Sequence, residues 1–237
     1  EDNFSWHLGI DFSKPLGVRA WLRRIRQEIR QAAARHIPWQ VVFDEVRHNG
    51  QAIWQSLSLD EQRRFLRHLR PWWDVHRYRI APQVGQVLKH HQRSGTLRVL
   101  AARLTAAAAL PSAVRLSLQP RSGGVQALEV DKIIVTTGPA HGALIERDAL
   151  LNQLAQDGVI QSDPLALGIH VNARSQTLNT QGQANPHLYV VGPAARGRFG
   201  ELMGLPQVAT HAEAVARQLL NLTDDTRHER CPLSLTN

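Results

Sequence analysis

The stretches VDKIIVTTGPA (130–140) and LYVVGPAARGRFGELMGLPQVATHAEAVARQL (188–219) decide how this chain is read. Each begins with a short apolar run rich in β-branched residues and ends in Gly-Pro, at Gly138-Pro139 and Gly192-Pro193. Runs of this kind, without polar alternation, predict strands buried on both faces, as in a parallel sheet. Ligands of open α/β sheets bind at the carboxyl edge, and glycine there lets a ligand approach the main chain. After the second junction, Gly204-Leu205-Pro206-Gln207 leads into an apolar-striped pattern (Val208, Ala212, Val215, Ala216, Leu219) that predicts a helix over about 206–220. Free amides at such a helix start favour an electron-rich or anionic group.

Working outward, the N-terminal half carries the helical period. Leu22, Ile25, Ile29 and Ala32 mark an amphipathic helix over about 15–36, with Arg19, Arg23, Arg26 and Arg30 on the remaining surface. A second helix is predicted over 44–57. A third opens at the capping box Ser58-Leu-Asp-Glu61 and should stop at Pro71. A fourth begins near Pro82 and ends at Ser94-Gly95. From Thr96 the period becomes that of strands: 96–104, then 114–118 and 125–130 around the turn Arg121-Ser-Gly-Gly124. A surface helix is expected over 146–156 and a further hairpin over 168–180. Residues 222–237 read as a polar, frayed tail. The expected fold is α/β: a mostly helical region (1–95), then a portion of a Rossmann-like domain with a β-hairpin or meander (96–221).

The 237 residues, 43% hydrophobic and 20% charged, suit a soluble globular chain. No apolar run reaches membrane-spanning length. The single cysteine, Cys231, excludes a disulfide framework within the chain, and a cytoplasmic home is expected. The net charge of +8 is asymmetric. Residues 1–100 hold 17 Lys+Arg against 9 Asp+Glu and all six tryptophans, whereas residues 101–237 balance at 11 and 11. No two of the 16 glycines are separated by a single residue, so a dinucleotide fingerprint is absent; a P-loop, a nucleophile elbow and a cysteine-rich zinc site are absent too. The segment 64–82 packs arginines, histidines and Trp72-Trp73 around Asp74. Arginine stacks on indole and pairs with carboxylate or phosphate, so the segment suits either an anionic ligand or an internal packing surface. The basic face of helix 15–36 reads first as a solvated outer face.

The runs FLRHLRPWWDVHRYRIAP (65–82), VDKIIVTTGPA, DPLALGIHVN (163–172) and the 188–219 segment together resemble the FAD-NAD(P)-binding protein family of YdhS-like bacterial flavoproteins, within the two-dinucleotide-binding-domain superfamily. The resemblance covers most of residues 15–221. It implies the C-terminal part of an FAD-dependent, NAD(P)H-linked oxidoreductase, monooxygenase-like or reductase, whose glycine fingerprint lies upstream of Glu1. It implies cofactor contacts from Thr137, Gly138, Pro139, Gly192, Pro193, Leu205, Pro206 and Gln207, and substrate or nicotinamide contacts from His76 and Arg79. Where the superfamily ends its last strand in Gly-Asp, this chain has Gly192-Pro193 and lacks that acid. The partners implied are a nicotinamide cofactor, a small-molecule substrate and the missing N-terminal FAD-binding segment, with no metal and no membrane; taken alone, the chain is expected to hold no FAD and to be inactive. The competing reading is a non-catalytic basic helical module that docks a protein partner or, less in keeping with the pattern, nucleic acid.

Overall fold

A computed structural model describes residues 5–9, 11, 15–136 and 143–228, with side chains through residue 221. The chain is mixed α and β and divides into two compact units: residues 1–77 with 140–237, and residues 78–139.

The larger unit starts with α1 (Val18–Ala34), α2 (Trp39–His48), α3 (Gly50–Ser56), α4 (Leu59–His68) and α5 (Arg70–Arg77). The helix expected over 44–57 starts earlier and is split at Asn49, whose N–H and side-chain amide both donate to the Glu45 carbonyl, at 3.1 and 2.9 Å. The Ser58 cap forms as expected, its hydroxyl accepting from Glu61 N–H. The other half of the capping box is redirected. Glu61 Oε2 accepts the Val18 N–H at 2.6 Å and supplies the carboxylate that the Gly17 N-cap of α1 lacks. Pro71 does not end the helical run. It sits at the second position of α5, in the first turn, where its missing N–H costs nothing.

Two apolar clusters form on these helices. Trp6, Leu8, Ala32, Val42 and Val46 make one. Val18, Trp21, Trp54, Leu57 and Leu167 make the other. Leu167 comes from the distant loop 163–168, which ties the helices to the C-terminal part of the chain. The third cluster lies there: Ile145, Ile160, Ile169, Val171, Val190, Ala195, Phe199 and Leu202. Around it run α7 (Leu144–Arg147), α8 (Ala149–Gln156), the antiparallel pair β4 (Gln176–Leu178) and β5 (Ala184–Tyr189), a 3-10 turn over Pro193–Ala195, α9 (Arg196–Phe199) and α10 (Leu205–His228). The hairpin foreseen over 168–180 appears as the isolated bridge Val171↔Thr177 closing onto β4. Helix α10 runs well past residue 220, so the start of the expected polar tail is helical.

The joint between helical and C-terminal segments is made by main chain. Trp54 Nε1 donates to the Gly197 carbonyl at 2.9 Å. A Cβ on Gly197 would lie 2.0 Å from the Asp163 carboxyl carbon, and one on Gly168 would lie 2.1 Å from the Ala194 carbonyl oxygen. Only hydrogen fits at either place. The Ile169 N–H donates to that same Ala194 carbonyl at 2.8 Å. Two sequence motifs, DPLALG and GPAARG, are thereby explained as interlocking loops.

The smaller unit contains α6 (Pro82–Arg93), begun by Pro82, and an antiparallel meander of β1 (Ala102–Ala109), β2 (Val114–Pro120) and β3 (Gln126–Val130). The turn 121–124 forms with Gly123 and Gly124 at positive φ. The first strand lies later than the 96–104 expected, and it is exposed throughout. Lys132–Thr136 is the main correction. It forms no strand, and Ile134 and Val135 are 84% and 76% exposed. Every strand pairing among the described residues is antiparallel, so the pair of buried parallel strands is not formed. Periodicity reports that a run is apolar; it does not supply the neighbouring strands that would bury it.

Two substitutions test this account. Glu61→Ala should lower stability in urea unfolding by about 1–2 kcal/mol through loss of a helix cap, with Glu61→Gln intermediate. Gly197→Ala should cost at least about 1–3 kcal/mol, since the methyl must displace buried neighbours.

Candidate functional site

The second Gly-Pro junction is where sequence and structure converge. Strand β5 delivers the chain through buried Val190 to Gly192, which is itself buried and has φ +84. A left-handed φ of that size favours glycine, because a side chain there meets its own main chain. Gly192 packs on the first turns of α10: a Cβ at this position would lie 3.6 Å from Val208 Cγ1. The structure therefore brings Gly192 together with the helix start that carries Leu205, Pro206 and Gln207. Pro193, Leu205 and Pro206 are exposed.

The anchor of the junction is His211. Its Nδ1 accepts the Gly192 N–H at 3.2 Å, and its Nε2 lies 2.8 Å from Ser175 Oγ. A backbone N–H can only donate, so Nδ1 is bare, the ring proton is on Nε2, and the imidazole is neutral. Ser175 is buried and held at φ +62 by the loop after Asn172, whose side-chain Oδ1 accepts from the N–H groups of Arg174 and Gln176. The Ser175 carbonyl accepts the Val190 N–H at 2.9 Å. The Phe199 ring lies 4.5 Å from the imidazole, centroid to centroid. Burial holds the His211 pKa below its ordinary 6.5. Asp163 is the other buried ionisable group whose titration is displaced. Burial raises its pKa, opposed by N–H donation from Leu165 and Leu167 and by the nearby His170.

At the start of α10, Val208 N–H bonds the Gly204 carbonyl at 3.0 Å and closes the first turn. Gln207 folds back over that glycine: a Cβ on Gly204 would be 2.4 Å from Gln207 Oε1. That oxygen is buried and has no hydrogen-bond partner. Pro206 has no N–H and the Val208 N–H is taken, so the donors at this helix start are the Leu205 and Gln207 amides, with the buried Gln207 Oε1 an unused acceptor beside them.

The remaining sequence candidates are placed elsewhere. Thr137, Gly138 and Pro139 lie outside the described residues. His76 sits on α5, with Nδ1 2.7 Å from the Trp72 carbonyl and its ring stacked on Phe43 at 5.3 Å and edge-on to Trp39 at 5.5 Å. Neighbouring Trp73 donates Nε1–H to Glu201 at 3.1 Å, and Arg77 pairs with the same carboxylate. Much of the Arg/Trp segment is therefore used in packing α5 against the loop after α9. Arg79 is exposed and belongs to the smaller unit. His211 and Ser175 escaped the sequence reading. The available signal was position: His211 falls three residues after Val208 and four before Val215, on the apolar face of the helix.

No group of three or more His, Cys, Asp or Glu side chains suited to a metal occurs among the described residues, and no described helix is long and apolar enough to cross a membrane. No protein-family model matches the chain, and no curated protein is significantly similar to it.

The neutral imidazole generates a pH prediction. Its folded pKa is below its unfolded value, so below about pH 6.5 the unfolded state binds more protons and folding weakens as pH falls. Asp163 acts with opposite sign: its folded pKa is above the unfolded one, so acidification toward its ordinary 3.8 favours the folded state. Urea unfolding at pH 7.5 and 5.5 (values of order one unit either side of the imidazole range) should show a loss in the parent chain that is reduced in His211→Phe. An unchanged pH difference in the variant would contradict the neutral assignment.

Proposed function

We propose that this chain forms the ring-binding side of an FAD-dependent, NAD(P)H-linked oxidoreductase, as the C-terminal part of a Rossmann-like flavoprotein. The observation that carries the reading is the juxtaposition of the Gly192-Pro193 junction with the start of α10, where Gln207 Oε1 is buried and unpartnered. The pyrimidine edge of a flavin alternates acceptor, N–H donor, acceptor. Helix-start amides and one bare carbonyl oxygen match that alternation in kind. Leu205 and Pro206 are exposed at the mouth of this edge, and the half-buried Gln207 side chain must turn outward for its Oε1 to meet a ring.

The residues divide the work. His211 takes up the Gly192 N–H and so fixes the glycine turn against α10. The amides and dipole at the helix start favour negative charge on a bound ring. When bound, the flavin supplies reversible hydride chemistry fed by NADH or NADPH, and the protein supplies orientation and field. The diphosphate needs a glycine-rich loop that this sequence does not contain. The exposed apolar run Ile133–Val135 also supports the reading, since it has the composition of a strand covered by further sheet.

The test follows from holding the ring and not the diphosphate. Purified alone, the chain should be colourless, and titration should quench riboflavin and FAD fluorescence weakly and with affinities within about threefold of each other. Gln207→Leu should weaken both by about two- to tenfold, the worth of one hydrogen bond. Absence of quenching by either flavin, or indifference to Gln207→Leu, would defeat the proposal.

A further inference from the structure

A different surface carries an inference that does not depend on the flavin reading. Arg19, Arg23, Arg26 and Arg30 of α1 are all exposed, and none makes a hydrogen bond or ion pair among the described residues. At 100° per residue they fall within about 60° of arc, and at 1.5 Å rise they extend over about 16 Å. The neighbouring Arg24 lies on another side, where it is paired with Glu28 and the Leu8 carbonyl. Like charges three and four residues apart repel one another on a helix. A narrow line of four guanidinium groups is therefore a feature for which the described residues provide no counter-charge.

We infer that this arginine line on α1 docks the phosphodiester backbone of a nucleic-acid duplex, without reading its sequence. Three observations choose this occupant. The face is flanked by exposed Gln27, Gln31, Ala33 and Ala34 and, at one edge, by half-buried Leu22, with no exposed aromatic or large apolar residue on it, so it lacks the apolar centre of a protein–protein interface. The apolar side of α1, with Val18, Trp21 and Ala32, is buried inside the protein. It cannot enter a lipid surface as an interfacial helix must. A duplex strand is itself a line of regularly spaced single negative charges, and arginine forks match phosphate oxygens. The contact inferred is with the backbone alone, as a line of charge without a recognised nucleic-acid-binding motif would make.

The test is fluorescence anisotropy of the full chain with two labelled duplexes of unrelated sequence, about 20 base pairs each, from about 50 to 300 mM NaCl. Both should bind alike, in the micromolar range at low salt, with log K falling against log salt at a slope of about −3 to −4. Arg23→Gln/Arg26→Gln should halve that slope and weaken binding at least tenfold at the lowest salt. Arg93→Gln/Arg98→Gln, an equal charge change in the smaller unit, should leave both nearly unchanged. Far-UV circular dichroism should match the parent for both variants, since all four positions are exposed. The inference is overturned by lack of duplex binding at low salt, or by equal losses in the two variants, which would reduce the effect to net charge. Equal or tighter binding to polyglutamate or to phosphatidylserine-containing vesicles would also overturn it, assigning the line to an acidic protein or a lipid surface.

Discussion

Close approach of main chain at Gly197 holds the larger unit together. On one side its Cα presses against the buried Asp163 carboxylate; on the other its carbonyl takes the indole proton of Trp54. Gly168 makes the reciprocal approach to Ala194. Because close-packed interiors yield little, a single added carbon at either glycine would have to move a loop. The loop cannot move without carrying Leu167 out of the cluster it shares with Val18, Trp21 and Trp54. Helices from the first third of the chain and the strands and turns of the last third are thus one packing problem.

The same joint positions the candidate site. The 3-10 turn and α9 follow Gly192 directly, so fixing Gly197 fixes the path on which the glycine junction leaves β5. His211 adds a second constraint from α10, and Ser175 a third from the loop before β4. Three segments distant in sequence meet on one neutral imidazole. Such a ring is costly to charge, and its place between a backbone donor and a hydroxyl states why: each nitrogen already has a fixed role.

The smaller unit has a different character. Its sheet and α6 leave Val84, Val87, Val99, Leu104 and Val125 exposed, and the run after β3 exposes Ile133 to Val135. A three-stranded meander whose strands hold half-buried but no buried residues gains its local pairing but buries little apolar surface. Sequence patterning for burial and the observed exposure disagree most sharply here, and that disagreement is among the observations behind the proposal that further sheet covers this run.

Local chemistry made much of the helical region legible. The period of α1, the Ser58 cap, Pro82 at the head of α6 and the paired glycines of the 121–124 turn act over a few residues, and each appears where the sequence places it. The order strand, glycine junction and helix over 188–220 is legible too, whereas the packing of Gly192 on the first turns of α10 comes from the fold. Partner choice was not legible. Glu61 left its own cap for the N-terminus of α1, Pro71 opened a helix in place of closing one, and 132–136 stayed unpaired. His211 gained its meaning only when Ser175 and Gly192 were brought to its two nitrogens. Short-range propensity sets what a segment can form; which donor meets which acceptor across many residues is set by packing, and only the folded chain decides that.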